Sequence, residues 1–285
     1  IPLLLRSIEG YEQYKDMTSV YGYPGFLISS IKAETLYDDF IEEIRIWSNK
    51  NNVVSIFSRL NSLLINAKKI NGAKPHGETV LIDLSLSEDE QKACYRSVHR
   101  NLLRRLKKND FKSNWSNKSN SIDDFKYIYR KNMETLGAQD FYFFDDSYFD
   151  DLLNSSEFNI RIYNVWHKEI KICSGIFIFY DDIVQYHLSG VLQQYKSSSP
   201  TLMLIDQARK DASKLGYKYL HLGGGLGAEK DGLFNFKFGF SKKTINFYFF
   251  KMVVDINTYK KLSNLPVSAS IPNTGYFPLY RKITE

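Results

Sequence analysis

Cysteine is almost missing from this chain, with two residues, Cys94 and Cys173, in 285. Two thiols cannot build a disulfide framework or a structural zinc site, and no metal is expected. Cys173 falls in an apolar strand pattern and Cys94 in a helical one, so buried free thiols in a reducing cytoplasm are the expectation. Long apolar runs are lacking too, and no membrane span is expected. The opening Ile1-Pro2-Leu3-Leu4-Leu5 is too short for a signal-peptide core and has no cleavage pattern. It begins without a methionine, which leaves room for an upstream strand. Two phosphate signatures are absent as well: no Gly-Lys-Ser/Thr loop and no G-x-G-x-x-G fingerprint.

Aromatic residues are what the chain has in excess, 15% of it, with 20 Tyr and 20 Phe. That share points to a sheet-rich core and a cleft lined by rings. A net charge of +6 favours anionic partners in general, from nucleotides to nucleic acid or an anionic surface. The length suits one large domain or two modest ones.

Near the start, Tyr21-Gly22-Tyr23-Pro24-Gly25 is a turn with rings beside it, able to wall a sugar or base or to pack in a core. Thr35–Asn49 places Leu36, Phe40, Ile44 and Trp47 at amphipathic-helix spacing. Leu63–Ile70 reads as a short helix. Leu86–Asp110 reads as one helix, capped by Ser87 with Glu88, Asp89 and Glu90 in its first turn. Arg96, Arg100 and Arg104 then fall at i, i+4 and i+8 and form one stripe, either a solvated face or a surface for an anionic ligand.

From residue 159 the pattern becomes regular. Asn159–His167, Lys171–Tyr180 and Ile183–Val191 read as an antiparallel meander. Strict alternation in the third strand puts Val184, Tyr186 and Leu188 on one face and Gln185, His187 and Ser189 on a polar face toward a wet cleft. Ser199 is then expected to cap a helix with Pro200 at its first position. Leu202, Ile205, Ala208, Ala212 and Leu215 form its buried stripe and Gly216 its end.

The stretch Tyr219–Ser241 organises the rest. A short strand runs into Gly223, Gly224, Gly225 and Gly227, then a charged turn, then the aromatic segment Phe236-Lys237-Phe238. Glycines directly after a strand serve a sharp turn or a close backbone approach. Asp231 is placed to cap the short helix that follows. His221 reads as structural.

Three meander strands, a helix with an open N-terminus, a strand, a helix and a last strand follow the order of a GNAT acyltransferase domain. Tyr186-His187-Leu188-Ser189-Gly190, Ser199-Pro200-Thr201, Leu222-Gly223-Gly224-Gly225, the run from Leu233 to Phe240 and the early run from Asp16 to Gly25 together resemble the Fem-type branch of that superfamily. The resemblance implies an α/β (α+β) fold of two GNAT-like domains, each a mixed, mostly antiparallel sheet flanked by helices. The division expected is 1–110 for a degenerate N-terminal domain and 111–285 for the catalytic one. One departure stands out: the usual pyrophosphate loop, Arg/Gln-x-x-Gly-x-Gly/Ala, is replaced by Gln193-Gln194-Tyr195-Lys196-Ser197-Ser198-Ser199-Pro200. A helix N-terminus still offers N–H groups and a positive dipole end there.

On this resemblance the chain is expected to move an acyl group from acyl-CoA, as co-substrate, to the amine of a nucleotide-linked amino sugar for surface polysaccharide. No stable nucleic-acid partner is then expected. One alternative is aminoacyl-tRNA-dependent transfer to a peptidoglycan precursor, for which many relatives carry a coiled-coil insertion; no sustained heptad run is present here. Another is a non-catalytic module that binds anionic ligands or nucleic acid through the basic stripe. The roles implied follow residue by residue. His187 is the candidate base, with Asp16 the runner-up or the residue that orients the acceptor. Lys237 would meet a phosphate or stabilise transition-state charge. The backbone of Ser189, Gly190 and Val191 would face the carbonyl, and Ser199 and Thr201 would hold a pyrophosphate. Tyr21 and Tyr23 would contact a sugar or base, Arg100 and Arg104 an anionic substrate, and Gly223 and Gly224 would floor its approach.

Overall fold

The computed structural model describes residues 2–20, 22–26, 36–61, 63, 67–116, 121–272 and 275–282. In chain order, β1 (Leu3–Ile8) and β2 (Tyr11–Ser19) precede α1 (Tyr37–Lys50), β3 (Val53–Leu60) and β4 (Ala73–Asp83). Next come α2 (Glu88–Ala93), α3 (Ser97–Lys108), β5 (Phe111–Ser116), α4 (Ile122–Leu136) and α5 (Asp146–Asn154). The meander β6 (Asn159–His167), β7 (Ile170–Tyr180) and β8 (Ile183–Val191) follows. The chain closes with α6 (Thr201–Lys214), β9 (Tyr219–Gly223), α7 (Gly232–Phe238), β10 (Thr244–Val253) and α8 (Ile256–Leu262). The fold class is the expected mixed α/β one, with helices flanking mostly antiparallel strands. No helix among the described residues is long and apolar enough to cross a membrane.

Two compact units emerge, Ile1–Glu78 with Ile245–Glu285, and Thr79–Thr244. The division expected between 110 and 111 falls inside the second of these, between α3 and β5.

In the first unit the strands run β1-β2-β3-β10. Only β2 and β3 pair in parallel. α1 covers one face over Met17, Ile56, Leu60 and Phe250, and α8 the other over Val54. The buried stripe of α1 differs from expectation. Tyr37, Ile41 and Ser48 face inward at helical spacing, with Ile44 partly buried beside them, while Leu36, Phe40 and Trp47 are exposed. Leu63–Ile70 shows a short 3-10 turn at Ala67–Lys69, and 64–66 lie outside the described residues.

In the second unit the order is β4-β9-β8-β7-β6-β5, with β8 and β9 parallel. The meander matches its sequence pattern because left-handed turn residues, Lys168 and Asp181, reverse it at both ends of β7. α3 and α6 cover one face, α4 and α5 the other. Leu202, Leu204 and Ile205 of α6 are fully buried, each worth roughly 2 kcal/mol of transfer free energy. Leu215, expected in that stripe, is exposed just beyond the helix.

The single helix expected over 86–110 is two. Ser87 and Glu90 form a reciprocal capping box that starts α2. Tyr95 is then buried, its hydroxyl donating to Asp206 at 3.1 Å, and the N–H of Arg96 donates to Gly239 O at 2.8 Å. Arg96 takes extended backbone (ψ 151°), so the helix stops and α3 restarts after it. The stripe of Arg96, Arg100 and Arg104 is therefore broken. Arg100 turns back to the carbonyls of Ala93 and Tyr95 at the end of α2, and Arg104 stays exposed on α3.

Candidate active site

β8 and β9 run in parallel through Ile183↔Tyr219, Val184↔Leu220 and Gln185↔His221, and their ladder ends there. Beyond it β8 follows β7 to Cys173↔Val191, while Gly223 of β9 pairs with Val80 of β4. The sheet opens between two strands that were side by side.

A buried polar cluster sits at the point of divergence. Gln185 Nε2 donates to Tyr186 O at 2.9 Å, which turns Oε1 toward His221 Nδ1 at 2.5 Å. That oxygen accepts, so Nδ1 of His221 carries the hydrogen. Burial, and then the nearby Lys237 ammonium, push the His221 pKa down to about 3. Lys237 comes from α7; its Nζ donates to Gly224 O at 2.6 Å and the side chain is 8% exposed. Burial lowers its pKa to about 8, with Asp231 acting weakly against the shift. Among the described residues no carboxylate lies within ion-pair distance of it.

Two anchors fix α7. At its start Asp231 caps the helix, accepting from Phe234 N at 2.8 Å, and ties in the glycine turn through Leu226 N at 3.1 Å. A Cβ at Gly225 would meet Glu229 O at 2.0 Å, so this turn closes only on glycine. At its end, His99 Nε2–H donates to Phe236 O at 2.8 Å while Nδ1 accepts from Arg96 Nε at 2.9 Å. Burial holds His99 at a pKa of about 4, hence neutral. Gln185 and His99 carry no motif in the sequence; the turn after β9 was the one local signal of this cluster.

The polar face expected on β8 is divided by a bulge. Register with β7 shifts between Ile176↔Leu188 and Phe177↔Tyr186, so one extra residue, His187, is accommodated. Val184 and Tyr186 pack on the α6 side, but Leu188 packs on the α4 side. Ser189 is turned back to hydrogen bond with the Tyr186 hydroxyl. His187 pairs through Nε2 with Tyr148 of α5 at 2.6 Å, and burial lowers its pKa to about 4. Gly190 lies against α4, where a Cβ would meet Ile128 O at 2.7 Å. Val191 packs on the α6 core.

Helix α6 starts otherwise than expected. Ser199 adopts a left-handed conformation (φ 54°) after a 3-10 turn over Gln193–Ser198, and Pro200 is the N-cap. Thr201 Oγ1 lies 3.8 Å from Cys173 Sγ. The N–H groups of Leu202 and Met203 donate to Ser199 O at 3.1 Å and Pro200 O at 2.9 Å. These are two of the first-turn donors a pyrophosphate would use; the N–H of Thr201 makes no such bond among the described residues. With these two engaged and no glycine before them, the residues present keep the usual CoA phosphate cradle only in part.

Other expected site residues lie in the first unit. Asp16 is buried between Arg6 Nε and Arg281 Nε, 2.8 Å from each, in a structural clamp. Tyr23 packs edge-on against Phe247. Tyr21 lies outside the described residues. Among the described residues, Gly223 and Gly224 do meet Lys237 tightly.

A sheet opened between parallel strands, with a helix beginning at the opening, is the frame of a GNAT acyltransferase. Residues 93–237, half of the chain, match the family model of an acetyltransferase (GNAT) domain, and the chain belongs to that family. It is an acyltransferase, and the non-catalytic reading falls away. GNAT domains generally draw on acyl-CoA and an amine acceptor. No curated protein matches in sequence. Among solved structures, FemX superposes with a TM-score of 0.65 at 12% identity, over 91% of this chain and 85% of that one. The C-terminal domain of a putative lysylphosphatidylglycerol synthetase from Agrobacterium fabrum gives 0.60 at 14% identity, over 87% and 79%. L-PGS from Bacillus licheniformis gives 0.57 at 13%, over 87% and 79%. At such identities the likeness is one of fold.

Proposed function

We propose that this protein transfers an aminoacyl group from the ester of an aminoacylated tRNA to an amine of a peptidoglycan precursor. The observation that carries the reading is the start of α6, which lacks the glycines of a CoA loop and has two first-turn N–H groups engaged: a donor without a CoA pyrophosphate has no need of them. The Fem-type motifs, and folds shared with FemX and with lysylphosphatidylglycerol synthetases, support it.

In the step proposed, the acceptor's neutral amine attacks the ester carbonyl. A C–N bond forms, the C–O ester bond breaks, and the ribose hydroxyl leaves with the proton the amine gives up. Lys237, protonated at neutral pH, donates to the oxyanion as negative charge develops on it. The opened stretch of β8 lies along the acyl group, and the glycines after β9 let the acceptor approach. Neutral His187, held near 4, is too weak a base to draw a proton efficiently at pH 7, so its part is to orient through Tyr148.

A second reading keeps acyl-CoA and a nucleotide-linked amino sugar. It is favoured by the absence, among the described residues, of a long helical arm: the longest helix, α4, has 15 residues. Side-by-side assays separate the two. Labelled aminoacyl transfer from tRNA to peptidoglycan-precursor amines is expected, with no thiol release from acyl-CoA against UDP- and dTDP-amino sugars. Turnover with the CoA pairs alone discards the first reading.

A further inference from the structure

The first unit carries a surface that the acyl-transfer chemistry leaves unused. Alternation along β3, β10 and β4 places Phe57 and Arg59, Phe249 and Lys251, and Lys74 and His76 on one face. The opposite face of β3 and β10 holds Ile56, Leu60, Phe250 and Met252 in the core under α1. Register joins the set across strands, Phe249 opposite Arg59 and Lys251 opposite Phe57.

The rings form a half-buried stack, with Phe57 flanked on one side by Phe277 at 6.4 Å between centroids. His76, exposed, lies parallel to Phe249 with centroids 3.6 Å apart and planes 19° apart. Phe57 meets Phe249 edge-on at 4.8 Å. Cations border the stack: the Arg59 guanidinium lies 6.0 Å and Lys251 Nζ 5.9 Å from the Phe249 centroid. Lys251 also donates to Gly275 O at 3.3 Å. Neither Arg59 nor Lys74 has an ion-pair partner among the described residues. Burial, and then Lys74, lower the Lys251 pKa, as expected where cations crowd without enough counter-charge. One acid, Glu78, follows on the same face of β4 by alternation.

Flat ring faces beside unpaired cations on a sheet suit a ligand that alternates bases with phosphates. A lipid headgroup offers no ring to stack, and an acidic peptide has no use for the ring faces. We propose that this face is a stacking platform for unpaired nucleotides of RNA, with a single-stranded segment of the aminoacylated donor as its occupant. Naming that RNA as the donor rests on the function proposed above; stacking of unpaired nucleotides does not.

The test is fluorescence anisotropy with the full chain and a labelled RNA hairpin, with or without a four-nucleotide unpaired 3′ tail. The tailed hairpin is expected to bind at least about tenfold tighter than the blunt one. Phe249→Ala and Arg59→Gln are each expected to weaken the tailed complex roughly fivefold and leave the blunt one unchanged. His76→Ala, at an exposed position where folding is not at stake, should lose about threefold. Equal affinity for tailed and blunt RNA, unchanged binding by His76→Ala, or full competition by uridine diphosphate at matched nucleotide concentration overturns the platform. Aminoacyl transfer from a short ester donor, a single aminoacylated nucleotide, is measured in parallel. If that transfer proceeds while tail binding is absent, the platform alone falls. If tail binding holds and no aminoacyl ester is turned over, the donor reading alone falls.

Discussion

Two buried charges, one from each unit, are served in opposite ways. Asp16 in the first unit is 0% exposed and lies 2.8 Å from two arginine Nε atoms. Lys237 in the second is 8% exposed, and among the described residues its ammonium has a single carbonyl to donate to. A compensated buried charge holds strands together; an uncompensated one costs free energy and persists where chemistry needs it. Lys237 shows that cost in a pKa lowered to about 8, and it stands where β8 and β9 part.

Substitution should separate the two charges cleanly. Lys237→Met keeps the volume and removes the charge. It is expected to lower kcat by about 10²–10³, the range for loss of one oxyanion donor. The thermal midpoint should stay level or rise, since a desolvated ammonium has gone. A large loss of stability with kcat preserved would reverse the assignment. Asp16→Ala should do the opposite. It strands Arg6 and Arg281, which keep some contact with water, so the expected loss is about 2 kcal/mol, below the 3–5 typical of fully buried pairs. Urea unfolding measures it, and kcat of the folded fraction should be near wild type.

The same contrast sets a pH dependence of similar size. A lysine ordinarily titrates at 10.5, and Lys237 does so at about 8 when folded. Between those values the unfolded chain binds more protons than the folded one, so stability rises with pH. The penalty is fully present below pH 8 and is relieved toward 10.5. From pH 8 to 9.5 wild type should gain about 2 kcal/mol relative to Lys237→Met, by parallel unfolding titrations. Activity should fall over the same interval as the oxyanion donor loses its proton. His187 and His221, held near 4 and 3, leave the rate without a histidine limb between pH 5.5 and 7.5.

Much of this architecture was legible in the sequence where a pattern is local. The meander announced itself through alternation and turn residues, and the glycine turn with Lys237 pointed to the right place. What stayed hidden depended on distant partners or on one inserted residue. The break after Cys94 arises because the Arg96 N–H finds Gly239 O, far along the chain, in place of a helical carbonyl. The bulge at His187 reverses the faces of β8, and alternation cannot reveal a single extra residue. The stripe of α1 was misplaced because apolar residues stand on both sides of it, and burial alone decides that Tyr37 and Ile41 face inward. Asp16 was marked as reactive by its motif; only the fold supplies Arg6 and Arg281 as its partners.

His99 offers the finest separation of support from chemistry. It does not touch Lys237; it holds Phe236 O, one residue before it, and is itself oriented by Arg96. His99→Ala frees the end of α7, and the lysine then samples positions off the oxyanion. The expected result is about a tenfold loss in kcat with KM nearly unchanged, because ground-state binding does not use this bond. A merely structural role would lower the amount of folded enzyme and leave the kcat of the folded fraction alone. His99→Gln can present an amide N–H toward the same carbonyl and should restore most of the rate. The alkaline limb gives a second readout: with α7 loosened, Lys237 is better solvated and its pKa moves up from about 8 toward 10.5. An unmoved limb in His99→Ala, with kcat intact, would show that Asp231 alone is enough to place the lysine.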